Sequence, residues 1–248
     1  MFAVAQAISI PGDVVENVAR HVRLAALAAT HGARLVVFPE LSLTSYDLRL
    51  TTGDAIAIDD GRLATLDTLA ARHGLIVVAG APLAAAEGLQ IAALVFRPDG
   101  RRSSHTKQYL HPGEEVAFRA GPGGPPVRVD DHLVGLAICA DIVHPAHASA
   151  AAAVGATVYA AGVLISENGY APDTALLHRY AAEHQMLVLM ANYGAPTGGW
   201  VSAGRSAVWV PGGRLLAEAP AHGEAVVVAR HTGVEWEGRV VMGYEPAR

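Results

Sequence analysis

The order of apolar and polar positions predicts strands and helices that alternate along the whole chain. Short apolar runs, such as residues 35–38 and 134–139, are typical of buried strands, whereas longer segments with apolar residues three and four positions apart are typical of helices. Strands are predicted at residues 2–6, 35–38, 75–79, 90–97, 102–107, 134–139, 157–161 and 187–190, and helices at 14–30, 63–72, 145–154 and 173–184. Such alternation is typical of the α/β class.

The connections predict a sheet of mixed direction. Pro98-Asp99-Gly100 is a favourable turn, so the runs on either side of it are predicted to form a hairpin. The tail, residues 202–229, contains three more β runs separated by glycine-containing turns, while helical crossovers elsewhere favour parallel pairing. The chain therefore predicts one large mixed sheet, or two sheets with helices outside. Because no repeat and no break in composition marks a boundary, a single domain over residues 1–248 is expected.

One uncharged stretch, residues 148–166, is long enough to cross a bilayer. Its first half is mostly alanine, and Gly155 separates that half from the β-branched run at 157–161, so a buried helix followed by a buried strand is the better interpretation. The apolar start of the chain has no basic residues and ends at Pro11, which is unlike a signal peptide. We expect a cytoplasmic protein without membrane association.

Charge and cysteine content narrow the possible functions. The formal net charge is −5, which argues against nucleic acid as the main partner. The one cysteine, Cys139, excludes an internal disulfide and a cysteine-rich zinc site, and no metal is expected. Residues 121–124 contain neither a P-loop lysine nor a dinucleotide fingerprint, so no cofactor is expected. Lysine also occurs once among 18 basic residues, at Lys107, which suggests a position that requires an ammonium group.

Three polar residues follow apolar strands, where ligands bind in open α/β sheets. They are Glu40, Lys107 and Cys139. Taken singly, each has an ordinary structural explanation: a turn residue, a solvated lysine and a small buried hydrophobe. Together they could supply a base, a positive charge for an oxyanion and a nucleophile.

Three segments containing these residues resemble the signature segments of the nitrilase superfamily, the carbon–nitrogen hydrolases. They are Val36-Val-Phe-Pro-Glu-Leu-Ser-Leu-Thr-Ser-Tyr46, Lys107-Gln-Tyr-Leu-His-Pro-Gly-Glu-Glu-Val-Ala-Phe118 and Gly135-Leu-Ala-Ile-Cys-Ala-Asp141. The resemblance extends over nearly the whole chain. It implies an αββα sandwich of two mixed β-sheets with outer helices, and assembly into a homodimer or larger homo-oligomer.

The resemblance also implies a Glu–Lys–Cys triad and a role for each member. Cys139 would attack the amide carbon and form a thioester, Glu40 would act as general base and acid, and Lys107 with the backbone N–H of Ala140 would stabilise the oxyanion. Relatives place a second glutamate soon after the lysine. The spacing before Phe118 favours Glu114 for this role, with Glu115 as the alternative.

The chain departs from the family pattern around the cysteine. Many relatives have an aromatic residue, an arginine and a glutamate where this sequence has Ala140, Val143 and Ala146. These changes affect the expected substrate pocket more than the triad. Because Ala140-Asp141 resembles the amidase branches, hydrolysis of a small non-peptide amide or N-carbamoyl compound is preferred to nitrile hydrolysis. A non-catalytic protein on the same fold is a further alternative.

Histidines and loop residues complete the candidates. His144 and His147 could form a metal pair, but their spacing and the absence of a carboxylate cluster favour helix-terminal histidines. A dyad of Cys139 with His144 or His147 is the main rival mechanism; it requires a histidine to fold back from the next helix and leaves the single lysine unexplained. Other polar residues in predicted loops are expected to line the substrate pocket: Tyr46, His111, Asn168 and Tyr170.

Overall fold

Two β-sheets face each other between outer layers of helices in the computed structural model, which describes residues 1–86 and 88–243. The strands are β1 (Phe2–Gln6), β2 (Leu35–Val37), β3 (Ile76–Ala85), β4 (Gly88–Phe96), β5 (Arg102–Thr106), β6 (Val127–Val129), β7 (His132–Ile138), β8 (Val158–Gly162), β9 (Leu187–Ala191), β10 (Ala207–Trp209), β11 (Leu215–Glu218), β12 (Ala225–His231) and β13 (Trp236–Met242). The α-helices are α1 (Val14–Thr30), α2 (Ala64–His73), α3 (Pro145–Ala153) and α4 (Glu167–Glu183).

Both sheets are mixed, as the connections predict. The first has the order β13-β12-β1-β2-β3-β4-β5 and the second the order β11-β10-β9-β8-β7-β6. In the first sheet β1, β2 and β3 are parallel, and in the second β7, β8 and β9 are parallel. The predicted αββα sandwich is therefore confirmed.

Three apolar clusters correspond to the three interfaces between layers. The central cluster lies between the two sheets and includes Leu35, Val78 and Leu136. A second cluster joins the first sheet to α1 and α2, and a third joins the second sheet to α3 and α4. Because alternate residues of a strand point to opposite faces, β2 places Val36 in the second cluster and its neighbours in the central one.

Most predicted elements are confirmed, and helix α1 begins at a side-chain cap. The side chain of Asp13 accepts a hydrogen bond from the N–H of Glu16 at 3.0 Å, which satisfies a donor at the helix start. The hairpin around Pro98-Asp99-Gly100 joins β4 to β5. The uncharged stretch consists of the end of α3 followed by β8, as interpreted from its sequence. Among the described residues, no helix is long and apolar enough to span a membrane.

Two predicted boundaries are wrong, and two strands were not predicted. Helix α4 begins at Glu167 rather than 173, because Ser166 caps it and Pro172 is accommodated inside the helix. Strand β3 continues to Ala85 because it pairs with β4 along its length. The strands β6 and β13 were not predicted, since one has three residues and the other is a largely exposed edge strand that depends on its pairing with β12.

Candidate active site

Strand ends from both sheets bring Glu40, Lys107 and Cys139 to one place. Glu40 follows β2, Lys107 follows β5 directly and Cys139 follows β7 directly. Since β2 and β7 belong to different sheets, the site lies where the C-terminal ends of strands from the two sheets meet. Glu40 and Lys107 are fully buried, while Cys139 is half-buried and lines a cavity.

The segment with Glu40 passes very close to strand backbone on both sides. A side chain at Gly80 would place its Cβ 2.3 Å from the carbonyl oxygen of Pro39 and 2.3 Å from the nitrogen of Leu41. A Cβ at Gly162 would lie 2.5 Å from the carbonyl oxygen of Phe38. The two glycines, one in each sheet, therefore set the position of the Glu40 backbone.

Further hydrogen bonds hold this segment. The Tyr193 hydroxyl donates to the carbonyl oxygen of Glu40 at 2.6 Å. Neighbouring Leu41 has a φ of 51°, so the chain turns sharply directly after the glutamate. Tyr193 follows the Met190-Ala-Asn192 run, and its contact with Glu40 was not anticipated from the sequence.

Lys107 is the centre of the charged cluster. Its ammonium lies 2.7 Å from Glu40 Oε1 and 2.8 Å from the carboxylate of Glu114. Both carboxylates and the ammonium are buried, so each depends on the others for compensation of its charge. The structure thus places Glu114, rather than the exposed Glu115, beside Lys107.

Glu114 is itself fixed by two more donors. Its Oε1 accepts from the Tyr46 hydroxyl at 3.0 Å, and its Oε2 accepts from the backbone N–H of His111 at 2.8 Å. The carboxylate therefore has a single orientation towards Lys107. This arrangement makes Glu114 and Tyr46 positioning groups for the ammonium.

The protonation of Glu40 follows from its burial. Burial raises its pKa to about 7, and the negative charge of Glu114 acts in the same direction, while Lys107 and the Cys139 thiol lower it. Its second oxygen, Oε2, is buried without a hydrogen-bond partner in the described part of the chain. Near neutral pH, the Oε2 atom of Glu40 is therefore available to accept a proton.

The pKa values of Lys107 and Cys139 are both raised, which favours a charged ammonium and a neutral thiol. Burial alone lowers the pKa of Lys107, but Glu40, Cys139 and Glu114 outweigh it and raise that pKa. Burial, and then the charge of Glu40, raise the pKa of Cys139 well above its usual range. The resting thiol therefore needs a base before it can act as a nucleophile.

Cys139 begins a tight turn at the end of β7. Its φ is 43°, in a region that residues other than glycine rarely adopt, and a 3₁₀ turn over Cys139–Val143 follows. The Sγ atom lies 3.5 Å from the carbonyl oxygen of Leu164. This turn directs the thiol away from the strand and into the cavity.

Asp141 connects the cysteine turn to the lysine segment. Its Oδ2 accepts from the N–H of Ile138 at 2.9 Å, and its Oδ1 accepts from the N–H groups of Gln108 and Tyr109 at 3.0 and 2.9 Å. Because these residues adjoin Cys139 and Lys107, one buried carboxylate couples the positions of both. This function of Asp141 was not anticipated from the sequence.

The two histidines after the cysteine lie outside the cavity. The Nδ1 of His147 lies 2.8 Å from the Tyr159 hydroxyl, and the ring of His144 stacks on Tyr109. The cavity-lining residues include neither histidine, so this geometry does not support a Cys–His dyad. His147 instead groups with His105 and Asp141, where one potential ligand atom from each lies within 4.8 Å of the others.

The cavity has a volume of about 380 Å³, which is sufficient for a small organic molecule. Its lining comprises Glu40, Tyr46, His111, Glu114, Cys139, Ala140, Val143, Leu164, Ile165, Ser166, Gly169, Asp173 and Trp200. Of the residues expected to line it, the structure places Tyr46, His111 and Ala140 there.

Asn168 and Tyr170 do not line this cavity, so their predicted position is corrected. Both belong to α4 rather than to a loop: Asn168 is exposed, and the Tyr170 hydroxyl donates to Glu218 at 2.7 Å. Asp173 and Trp200 line the cavity instead. Asp173 lies four residues after Gly169, which places both on one face of α4, but this signal requires knowing where the helix begins.

The chain is similar to known proteins along most of its length. The sequence model of the carbon-nitrogen hydrolase family matches residues 2–234. An (R)-stereoselective amidase from Pseudomonas sp. is 32% identical over 221 residues, which is 84% of this chain and 76% of that protein. A glutamine-dependent NAD(+) synthetase from Rhodobacter capsulatus is 30% identical over 79% of this chain, which spans 37% of the synthetase.

Solved structures of the amidase from Nesterenkonia sp. AN1 are similar throughout. A mutant in complex with butyramide has a TM-score of 0.80 and 27% identity, with coverage of 91% of this chain and 88% of the amidase. Another mutant, with a TM-score of 0.79, shows Michael addition of acrylamide at the active site cysteine.

Proposed function

Because the chain belongs to the carbon–nitrogen hydrolase family, we propose that it hydrolyses small non-peptide amides through a thioester on Cys139. The products are a carboxylic acid and ammonia or an amine. N-carbamoyl compounds belong to the same reaction class. The amidase relatives support this reaction type.

One observation carries the proposal. Cys139 faces a cavity beside a buried carboxylate and a buried ammonium, and the Glu40 carboxylate lies 2.7 Å from Lys107. A buried ion pair costs several kcal/mol of desolvation, so it is weak evidence for a contribution to stability. At a cavity floor next to a thiol, the same groups have the chemistry of a base and an oxyanion partner.

In the first half-reaction, Glu40 takes the thiol proton as Cys139 Sγ attacks the amide carbon. The carbonyl oxygen becomes an oxyanion, which the Lys107 ammonium and the backbone N–H of Ala140 stabilise. The C–N bond then breaks, and Glu40 gives its proton to the leaving nitrogen. The acyl group remains on Cys139 as a thioester.

In the second half-reaction, a water molecule replaces the released amine. Glu40 takes a proton from this water as its oxygen attacks the thioester carbon. The oxyanion forms again beside Lys107, and the C–S bond breaks. The carboxylic acid leaves, and the proton held by Glu40 returns to Cys139, which restores the starting state.

A panel of substrates tests the proposal. We would incubate the protein with primary aliphatic amides, N-carbamoyl amino acids and nitriles, measure ammonia, and search by intact mass for an acyl adduct. We expect ammonia from amides and an adduct that Cys139→Ala abolishes. Full turnover in Cys139→Ala would refute the covalent mechanism. Turnover of nitriles but not of amides would support the nitrilase alternative, and a folded protein without product or adduct would support the non-catalytic one.

We further propose that the protein forms a homodimer or larger homo-oligomer and acts in the cytoplasm. The oligomer is expected from the family resemblance, and the reducing compartment from the requirement for a free thiol at Cys139. Light scattering of the purified protein measures the first, and fractionation of cells the second.

A further inference from the structure

Above the catalytic cluster, the mouth of the cavity has one acidic wall. Asp173 lies on α4, half-buried, and lines the cavity together with Gly169, four residues earlier. Its Oδ2 would lie 3.4 Å from a Cβ at Gly169. That distance is ordinary van der Waals contact, so Gly169 and the carboxylate of Asp173 are direct neighbours in the cavity wall.

The charges that line the cavity do not balance. Three lining residues are acidic, but Lys107 compensates two of them, Glu40 and Glu114, within hydrogen-bond distance. Asp173 has no such partner in the described residues. Burial raises the pKa of Asp173, and the neighbouring His111, which also lines the cavity, lowers it.

Another residue that lines the cavity, Val143, carries no charge. Val143 stands where many relatives have an arginine, and it is 44% exposed. A substrate carboxylate would therefore find no guanidinium at this position and would meet the charge of Asp173. This arrangement disfavours anionic substrates such as N-carbamoyl amino acids.

An aromatic surface completes the mouth. Trp200 lines the cavity and is 45% exposed, and its ring lies near that of His111, with centroids 6.2 Å apart. The face of an indole attracts cations. A carboxylate and an indole around one opening together favour a positively charged group.

We propose that Asp173 binds an ammonium group on the acyl part of the substrate, so that the preferred substrates are small amides that carry an amine. This inference rests on the proposed amidase function and names its substrate class. In a primary amide the leaving group is ammonia, so any second amine belongs to the acyl part. Cys139 then holds the amide carbon at the floor while the ammonium extends towards α4.

Pairs of amides that differ by an ammonium in place of a methyl group test the proposal. The pairs are glycinamide with propionamide, β-alaninamide with butyramide, and 4-aminobutanamide with pentanamide, all at pH 7, where these amines are mostly protonated. The increasing length locates the distance from Cys139 to Asp173. We expect kcat/KM of wild type to favour the ammonium member of at least one pair by about fivefold or more.

Substitution of the carboxylate separates charge recognition from shape. Asp173→Asn is expected to remove that preference by raising KM for the ammonium amide, while kcat/KM for its neutral partner changes less than about twofold. Asp173→Glu should retain part of the preference. Glu167→Gln, which removes an exposed charge from the same helix outside the cavity, is the matched control and should leave the preference unchanged.

A binding measurement makes the test independent of turnover. In the Cys139→Ala background, calorimetric titration should show tighter binding of the ammonium amide than of its methyl partner, and Asp173→Asn should abolish the difference. Equal binding of both members, or equal effects of Asp173→Asn on both, would overturn the inference while leaving the amidase function intact. If the panel yields neither product nor adduct, the proposed function fails, and this titration still decides whether Asp173 recognises a cation.

Discussion

Lys107→Met removes the charge that, among the described residues, compensates two buried carboxylates, and the effect of this variant on stability should depend on pH. The ammonium lies 2.7 Å from Glu40 and 2.8 Å from Glu114, and all three side chains are buried. Breaking a buried ion pair from one side costs about 3–5 kcal/mol. Glu40 can reduce that cost by taking up a proton, because burial already raises its pKa to about 7.

The sign of the pH dependence follows from proton binding. A carboxyl whose pKa is higher in the folded than in the unfolded state stabilises the fold at low pH, and this stabilisation is lost as pH rises through the folded-state pKa. In wild type this stabilisation by protonated Glu40 is lost completely somewhat above pH 7, where Glu40 ionises beside Lys107. Without the ammonium the pKa of Glu40 rises further, so the variant continues to lose about 1.4 kcal/mol for each pH unit.

Urea unfolding at several pH values measures the difference. Below about pH 6, Glu40 is protonated in both folded proteins, so the deficit of Lys107→Met should be constant there. Between pH 7 and pH 8.5 the deficit should grow by about 1.4 kcal/mol or more. Lys107→Arg is the control, because it keeps the charge and should show little growth of its deficit above pH 7.

Two results would refute this reasoning. A deficit of Lys107→Met that is independent of pH would mean that Glu40 does not titrate near neutrality. A deficit that shrinks as pH rises would mean that the carboxylates are not compensated by Lys107 at all. In both variants we expect amide turnover to fall at least about 100-fold. Lys107→Met has no positive charge for the oxyanion, and the guanidinium of Lys107→Arg is too broad to replace the oxyanion contact of a buried ammonium.

Three further predictions concern the base and the residues that position it. The kcat/KM of wild type for amides should rise with pH through about 7 and then become constant, because the proposed base is the ionised form of Glu40. A flat profile between pH 5.5 and 8.5 would contradict this assignment. Gly80→Ala should lower kcat by about 100-fold, because the added Cβ would displace the Glu40 backbone. The control is Gly61→Ala, whose Cβ meets nothing within 4 Å and which should leave kcat unchanged. A wild-type kcat in folded Gly80→Ala would refute the close approach. Tyr46→Phe removes the 3.0 Å hydrogen bond to Glu114 and should lower kcat by about tenfold, as measured by amide turnover. Circular dichroism should show little change in folding. An unchanged kcat would show that Tyr46 does not position the ammonium.

Much of the fold and of the central chemistry could be predicted from local patterns. Buried strands such as β2 and β7 are continuous apolar runs, and the turn at Pro98-Asp99-Gly100 is encoded in three residues. The candidates Glu40 and Cys139 stand out because each follows such a strand, and Lys107 because it ends the second arm of the predicted hairpin. Lysine and cysteine each occur once in the chain, which was a second reason to single out Lys107 and Cys139.

Two other features were not predicted, one because its partner is distant in sequence and one because a proline masks a local signal. Strand β13 is largely exposed and is ordered by pairing with β12, and α4 begins six residues earlier than Pro172 suggests, because Ser166 supplies the cap. Local propensity carries no information about the pairing of β13 with β12. The Ser166 cap is a local signal, since its side chain accepts from Gly169 three residues later, but Pro172 obscures it in the sequence.

The sequence by itself determined the α/β class, the positions of most strands, and the residue types that could act as base, oxyanion partner and nucleophile. The tertiary structure decided which groups share the cavity: it places Glu114 on Lys107, brings Asp173 in from α4 and leaves Asn168 outside. The physical reason is the range of the interactions. Hydrophobic period and turn chemistry act between near neighbours, whereas the site is assembled by the packing of two sheets, which sets distances between strand ends far apart in the chain.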